Sequence, residues 1–181
     1  MKKENLQKLV LSAMFFALGL VLPFITGQIR EIGNMLLPMH LPVLLCGLIC
    51  GWKYGGVVGF FVPLVRSLVF GMPVLYPNAV GMAFELLTYG LLTGLLFQKA
   101  ELQSAKKLFA TLLITVVLGR IVWGIARAVM LGLGDESFTF AMFITNGITS
   151  AIPGLILQFT LIPAIIFVLK KAKLIPLKSS K

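Results

Sequence analysis

A chain of 181 residues that is 59% apolar and only 12% charged, with a mean hydropathy of +1.01, lies far from the roughly 45–50% apolar, 25% charged makeup of soluble domains. A soluble fold of this size has too little interior to hide so much hydrocarbon, whereas a bilayer accepts it at about 20 residues per helical span. Ordinary soluble enzymes are excluded, and residues 1–181 are expected to form a single transmembrane domain with short loops.

In chain order, the basic start MKKENLQK resembles a signal peptide, but its apolar run reaches Ile25 without a small-residue cleavage site, so it reads as a retained first helix over 6–26. Apolar runs broken by Pro, Gly and Lys then predict helices over 38–52, 55–70, 78–98, 107–132 and 140–170. Helix one carries Ala13 and Ala17 four apart on one face, a small-xxx-small spacing that lets another helix come close. Helices two and three are short and are joined by GWKYGG, in which Gly51, Gly55 and Gly56 suit a tight reversal while Trp52 and Tyr54 suit an interface belt. Pro38, Pro42, Pro63, Pro73 and Pro77 surround these two helices and predict bent ends and a structured loop. Cys46 and Cys50 lie in an apolar run with neither disulfide nor zinc spacing, as small core residues do.

The net charge of +10 comes from 16 Lys/Arg against 6 Asp/Glu, an excess that in a soluble protein points to nucleic acid. Its distribution points elsewhere. With the N-terminus cytoplasmic, the inner side collects Lys2, Lys3, Lys8, Lys53, Lys99, Lys106, Lys107, Lys170, Lys171, Lys173, Lys178 and Lys181, and the outer loops hold Arg30 with Glu31, Asp135 and Glu136. Cations dispersed over the inner flanks follow the positive-inside rule: an all-α membrane protein of six transmembrane helices, both termini cytoplasmic, and no nucleic-acid partner.

The other three cations, Arg66, Arg120 and Arg127, fall inside predicted helices, where each costs about 2.5–3.5 kcal/mol near the bilayer centre. Arg66, Glu85 and Arg127 share the outer half of their helices, with His40, Asn78 and Asn146 in the same zone. Polar groups from five helices beneath the outer surface are what a binding site for an entering solute requires. Arg120, Trp123, Gly124 and Arg127 follow i, i+3, i+4, i+7 and share a face that should turn inward. One glutamate cannot serve three arginines equally, so an anionic or strongly hydrogen-bonding ligand is the natural complement, while one Arg–Glu85 contact as a structural pair is an equal reading and Arg120 also has backbone carbonyls to bond. His40, the sole histidine, has no ligand set around it for a metal and reads as a hydrogen-bonding group at a cavity mouth or a polar helix start. Asn78 serves either as an N-cap or as a ligand contact. Met35, Met39, Met72 and Met82 serve either a ligand or an ordinary core.

These features, with the segment MLLPMHLPVLLCGLICGWKYGGVVGFFVPLVRSLVFGMP from Met35 to Pro73 and the alanine pair Ala13/Ala17, resemble the substrate-binding S component of energy-coupling factor (ECF) vitamin transporters. The segment resembles a branch that includes pantothenate and pyridoxine or hydroxymethylpyrimidine carriers. The resemblance implies a bacterial plasma-membrane subunit that takes a small vitamin from outside, bound between helices four to six under a lid over residues 26–37. It also implies docking through the alanine motif onto a coupling membrane subunit driven by two cytoplasmic ATPases. The chain itself has no G-x-x-x-x-G-K-[ST] phosphate loop, so energy must come from a partner or a gradient. Pantothenate is the first expectation, its carboxylate answering an arginine and its hydroxyls and amide suiting His40 and Asn78. Pyridoxine or hydroxymethylpyrimidine, stacked on Trp123 or Tyr89, is the second. An intramembrane enzyme would need a triad that His40, Glu85 and Cys46 do not space, so neither enzyme activity nor a cofactor is expected. A stand-alone carrier using Glu85 as a proton relay is the remaining alternative. The expected site is His40, Arg66, Asn78, Glu85, Tyr89, Trp123, Arg127 and Asn146, with Ala13 and Ala17 for partner docking.

Overall fold

The computed structural model of the chain describes residues 3–25, 35–98, 105–132 and 139–172, and every regular element among them is helical. The six main helices are α1 (Lys3–Ile25), α2 (His40–Cys50), α3 (Trp52–Phe70), α4 (Val80–Gln98), α5 (Ala105–Gly132) and α6 (Ile152–Lys171). All but α2 belong to spans long and apolar enough to cross a membrane. Their outward faces carry exposed Val10, Val21, Leu113, Ile125, Ile156 and Val168, as lipid contact demands.

α2 is the centre of the molecule. Ten of its eleven residues are buried, and a helix apolar all round is stable only when other helices enclose it. At 1.5 Å per residue it is about 16 Å long, roughly half the apolar thickness of a bilayer, so its first residue, His40, starts well below the outer surface. Leu37, at φ 50, turns the chain into it. Val43, Leu44 and Cys46 of α2 form one core with Val62, Leu86, Leu112 and Ile162 from α3, α4, α5 and α6.

The predicted reversal at GWKYGG is tighter than expected. Gly51 alone makes it, at φ 98 and ψ 172, and Gly55 and Gly56 lie inside α3. They are retained for closeness: a Cβ on Gly55 would lie 2.6 Å from the Gly47 Cα of α2 and 2.7 Å from the Gly90 carbonyl of α4. Without a hydrophobic drive between helices in lipid, such backbone approach supplies the packing.

Two expected helices are interrupted. A kinked segment, Leu75–Ala79, in which Tyr76 is extended at φ −117 and ψ 134, precedes α4. The run over 140–170 divides into a short turn Phe140–Met142, a π-helical segment Phe143–Ile148, a 3-10 turn Thr149–Ala151 and α6. The kinked segment and the π segment both sit on the outer side, where α4 begins and α6 approaches. Irregular backbone at that depth is tolerated where protein or a cavity covers it, and π turns recur at functional positions.

Candidate functional site

On α4, Glu85, Tyr89 and Thr93 recur every four residues, so they share one buried face. The Thr93 hydroxyl donates to the Tyr89 carbonyl at 2.6 Å. α2 brings His40 to this face, with Nε2 3.4 Å from Glu85 Oε1. α5 brings Arg120, with Nη1 3.1 Å from the same oxygen. His40 and Tyr89 meet edge to face at 5.3 Å, and the other side of the phenol ring rests against Gly119 of α5. His40, Glu85 and Tyr89 are wholly buried and Arg120 nearly so.

Removing one partner from such a buried charge cluster costs several kcal/mol. Buried polar atoms are also left over, in the cluster and on α6. Arg120 Nε and Nη2, His40 Nδ1 and both polar atoms of the Gln158 amide are buried and have no hydrogen-bond partner among the described residues. Gln158 lies on the α6 face that also buries Gly154 and Ile162. A Cβ on Gly154 would lie 2.6 Å from the Met35 carbonyl, so this face of α6 packs against the segment that leads into α2.

A second tier lies about two helical turns nearer the outside on α5. Arg127 Nη1 donates to the Asn78 Oδ1 of the kinked segment before α4. Its guanidinium lies 5.6 Å from the centre of the Trp123 ring. Phe143 of the π segment packs 6.2 Å from the same indole. The two tiers stack a guanidinium over a guanidinium on one inward face of α5, bounded by α2, α4 and α6.

A model of the family "ECF transporter, substrate-specific component" matches residues 7–169 of the chain. The chain belongs to that family. It is the substrate-binding component of a transporter, a multi-pass membrane protein and not an enzyme, of the kind that works with a coupling subunit and ATPases. Neither a curated protein nor a solved structure matches it.

In this S component the expected residues separate into groups. His40, Glu85 and Tyr89 come together as one cluster, and Asn78, Trp123 and Arg127 as another. The Asn78 side-chain oxygen accepts from Arg127 in the kinked segment before α4. Asn146 falls in the π segment, with its side chain outside the described residues. Of the lid over 26–37, residues 26–34 lie outside the described residues, as do Arg30, Glu31, Asp135 and Glu136. Met39 and Met82 belong to the core packing.

Arg66 stands apart from both groups. Its guanidinium donates to the Leu20 carbonyl of α1 and lies 4.8 Å from the Phe24 ring and 5.4 Å from the Phe70 ring, which themselves meet edge to face at 5.0 Å. Pro23 within α1 disturbs the carbonyls of the preceding turn, and Arg66 serves one of them. Its buried charge is thus used to bind α1 to α3, and Arg120 takes the place at Glu85. Gln158 was missed altogether, although a lone amide in the apolar run IPGLILQFTLIPAII is a signal of the same kind as a buried arginine.

Proposed function

We propose that this S component captures a small water-soluble vitamin, pantothenate first, from the outer side of the bacterial plasma membrane, and releases it inward within an ATP-driven complex of one coupling membrane subunit and two cytoplasmic ATPases. The observation that carries the reading is the buried Glu85–Arg120–His40 cluster with guanidinium, imidazole and amide groups left over. An enclosed set of donors around one already engaged carboxylate suits a solute with a carboxylate and several hydroxyl or amide groups. Arg120 and Arg127 are the proposed anion contacts. His40, Gln158, Asn78 and Asn146 are the proposed hydrogen-bonding groups, and Tyr89 and Trp123 the walls. A flat pyridine or pyrimidine is the second choice because both rings it would stack on are already covered, Tyr89 by His40 and Gly119 and Trp123 by Arg127 and Phe143.

Titration of the purified protein with pantothenate and pyridoxine tests this. We expect saturable pantothenate binding that Arg127→Ala weakens by about 2–3 kcal/mol, the size of a hydrogen bond to a charged group, or about 30- to 150-fold. Pyridoxine binding in its place would remove the charge argument, and binding of neither would remove both as the captured solute.

The docking proposal rests on α1. Its inward face buries Ser12, Phe15 and Gly19, while Ala13 and Ala17 are exposed on the opposite side among Val10, Met14 and Val21. A strip of small side chains facing outward admits a second helix at close range. Ala17→Leu should leave the vitamin titration unchanged and abolish copurification of the coupling subunit. Normal copurification of that variant would take α1 out of the contact.

A further inference from the structure

A groove of about 410 Å³ runs along the lipid side of the α3–α4 pair, and neither the vitamin site nor α1 takes part in it. Trp52, Lys53, Val57 and Phe61 of α3 and Leu87 and Leu91 of α4 line it. Gly56 makes it possible. With no side chain there, the α3 backbone closes on Leu91, against which a Cβ would lie at 2.8 Å, and a furrow is left between flanking residues.

The groove is apolar along its whole length, and what adjoins its two ends differs. At the turn between α2 and α3 stand Trp52 and Lys53, the Lys53 ammonium held 5.5 Å from the centre of the Trp52 ring. This is the end at which Lys8, Lys106, Lys107, Lys170 and Lys171 also lie, the cytoplasmic side by the positive-inside rule. From there to Phe61 the walls are apolar, over nine residues of helix or about 14 Å. Half of an apolar core of roughly 30 Å is about 15 Å. The groove therefore has the depth of one leaflet, with an amphipathic indole and a cation at headgroup level and hydrocarbon beneath.

We propose that this groove binds an anionic glycerophospholipid of the inner leaflet, one acyl chain lying against Val57, Phe61, Leu87 and Leu91 and the phosphate headgroup meeting Lys53. Charge complementarity selects the anionic class. A zwitterionic lipid brings its own cation to an end already occupied by an ammonium, whereas phosphatidylglycerol brings an uncompensated phosphate. A transmembrane partner helix matches less well, since the furrow is one leaflet deep.

Native mass spectrometry of the full chain, delipidated and then given phosphatidylglycerol and phosphatidylcholine of identical acyl chains in equal amounts, tests the assignment. The wild type should retain phosphatidylglycerol at least five-fold over phosphatidylcholine. Lys53→Gln should bring the two to parity, while Lys107→Gln, on an exposed lysine away from the groove, should keep the preference. Val57→Trp, on an exposed position, should fill the furrow and lower retention of both lipids. Thermal melting checks that each variant is folded. Equal retention of the two lipids by the wild type overturns the proposal, as does a preference that survives Lys53→Gln. Unchanged lipid retention by Val57→Trp together with loss of the coupling subunit on copurification would show a protein in the groove and overturn it as well.

Discussion

Glu85→Ala should give an S component that no longer binds the proposed vitamin and melts about 10 °C below the wild type. The carboxylate is the only acidic group within salt-bridge reach of Arg120 among the described residues, and it meets His40 on the same oxygen. Its removal leaves a guanidinium and an imidazole buried without an anion. Breaking a buried pair from one side costs about 3–5 kcal/mol, and a chain of this length loses about 2–4 °C per kcal/mol. The informative companion is the double variant Glu85→Leu with Arg120→Met. Replacing both members of a buried pair by apolar side chains of similar volume is often neutral or stabilising, so the melting point should return to near that of the wild type. Vitamin binding should not return, because Arg120 is one of the proposed anion contacts. A double variant that is stable and still binds would show the pair to be a structural fixture and would move the ligand away from Arg120.

The same pair shows how far residue types alone lead. Length, hydropathy and lysine distribution prescribe six membrane helices because the transfer of hydrocarbon and charge depends on composition over tens of residues, and small errors of boundary do not matter. That an arginine inside a span must be answered by something is equally a matter of cost per residue. Which group answers is a matter of rotation about each helix axis, and composition does not carry that. Arg66 and Arg120 are alike as buried cations, yet Arg66 faces α1, where Pro23 disturbs the helix beside the carbonyl it serves, and Arg120 faces α4 and Glu85. The inward face Arg120–Trp123–Gly124–Arg127 was legible because its spacing is intrinsic to one helix. The meeting of Asn78 with Arg127 was not, since it depends on a kink at Tyr76 where the backbone departs from helical periodicity. The half-length α2 was foreshadowed by Pro38 and Pro42, but its consequence, a histidine at mid-depth against Glu85, follows only once α2 is seen enclosed by its neighbours.

Gly90→Ala should be nearly as damaging as the loss of Glu85, although it adds one methyl group. Gly90 of α4 faces Gly55 of α3 so closely that an added Cβ would overlap the Gly55 carbonyl and lie 2.7 Å from the Gly56 nitrogen. The obstruction is backbone, which no rotamer change relieves, so α3 and α4 must part. Overpacking in a rigid core costs about 1–3 kcal/mol and occasionally more, and the upper end applies here because α2 meets the same point through Gly47. The damage should also reach the ligand. Tyr89 adjoins Gly90 and Glu85 lies just over one turn away on the same helix, so displacing α4 pulls the carboxylate from His40 and Arg120. Thermal melting and pantothenate titration of Gly90→Ala should both fall, whereas Gly132→Ala, whose Cβ meets nothing within 4 Å, should match the wild type in both. If Gly90→Ala melts and binds as the wild type does, the helices are not held at backbone contact, and the cluster above that seam must be positioned by something else.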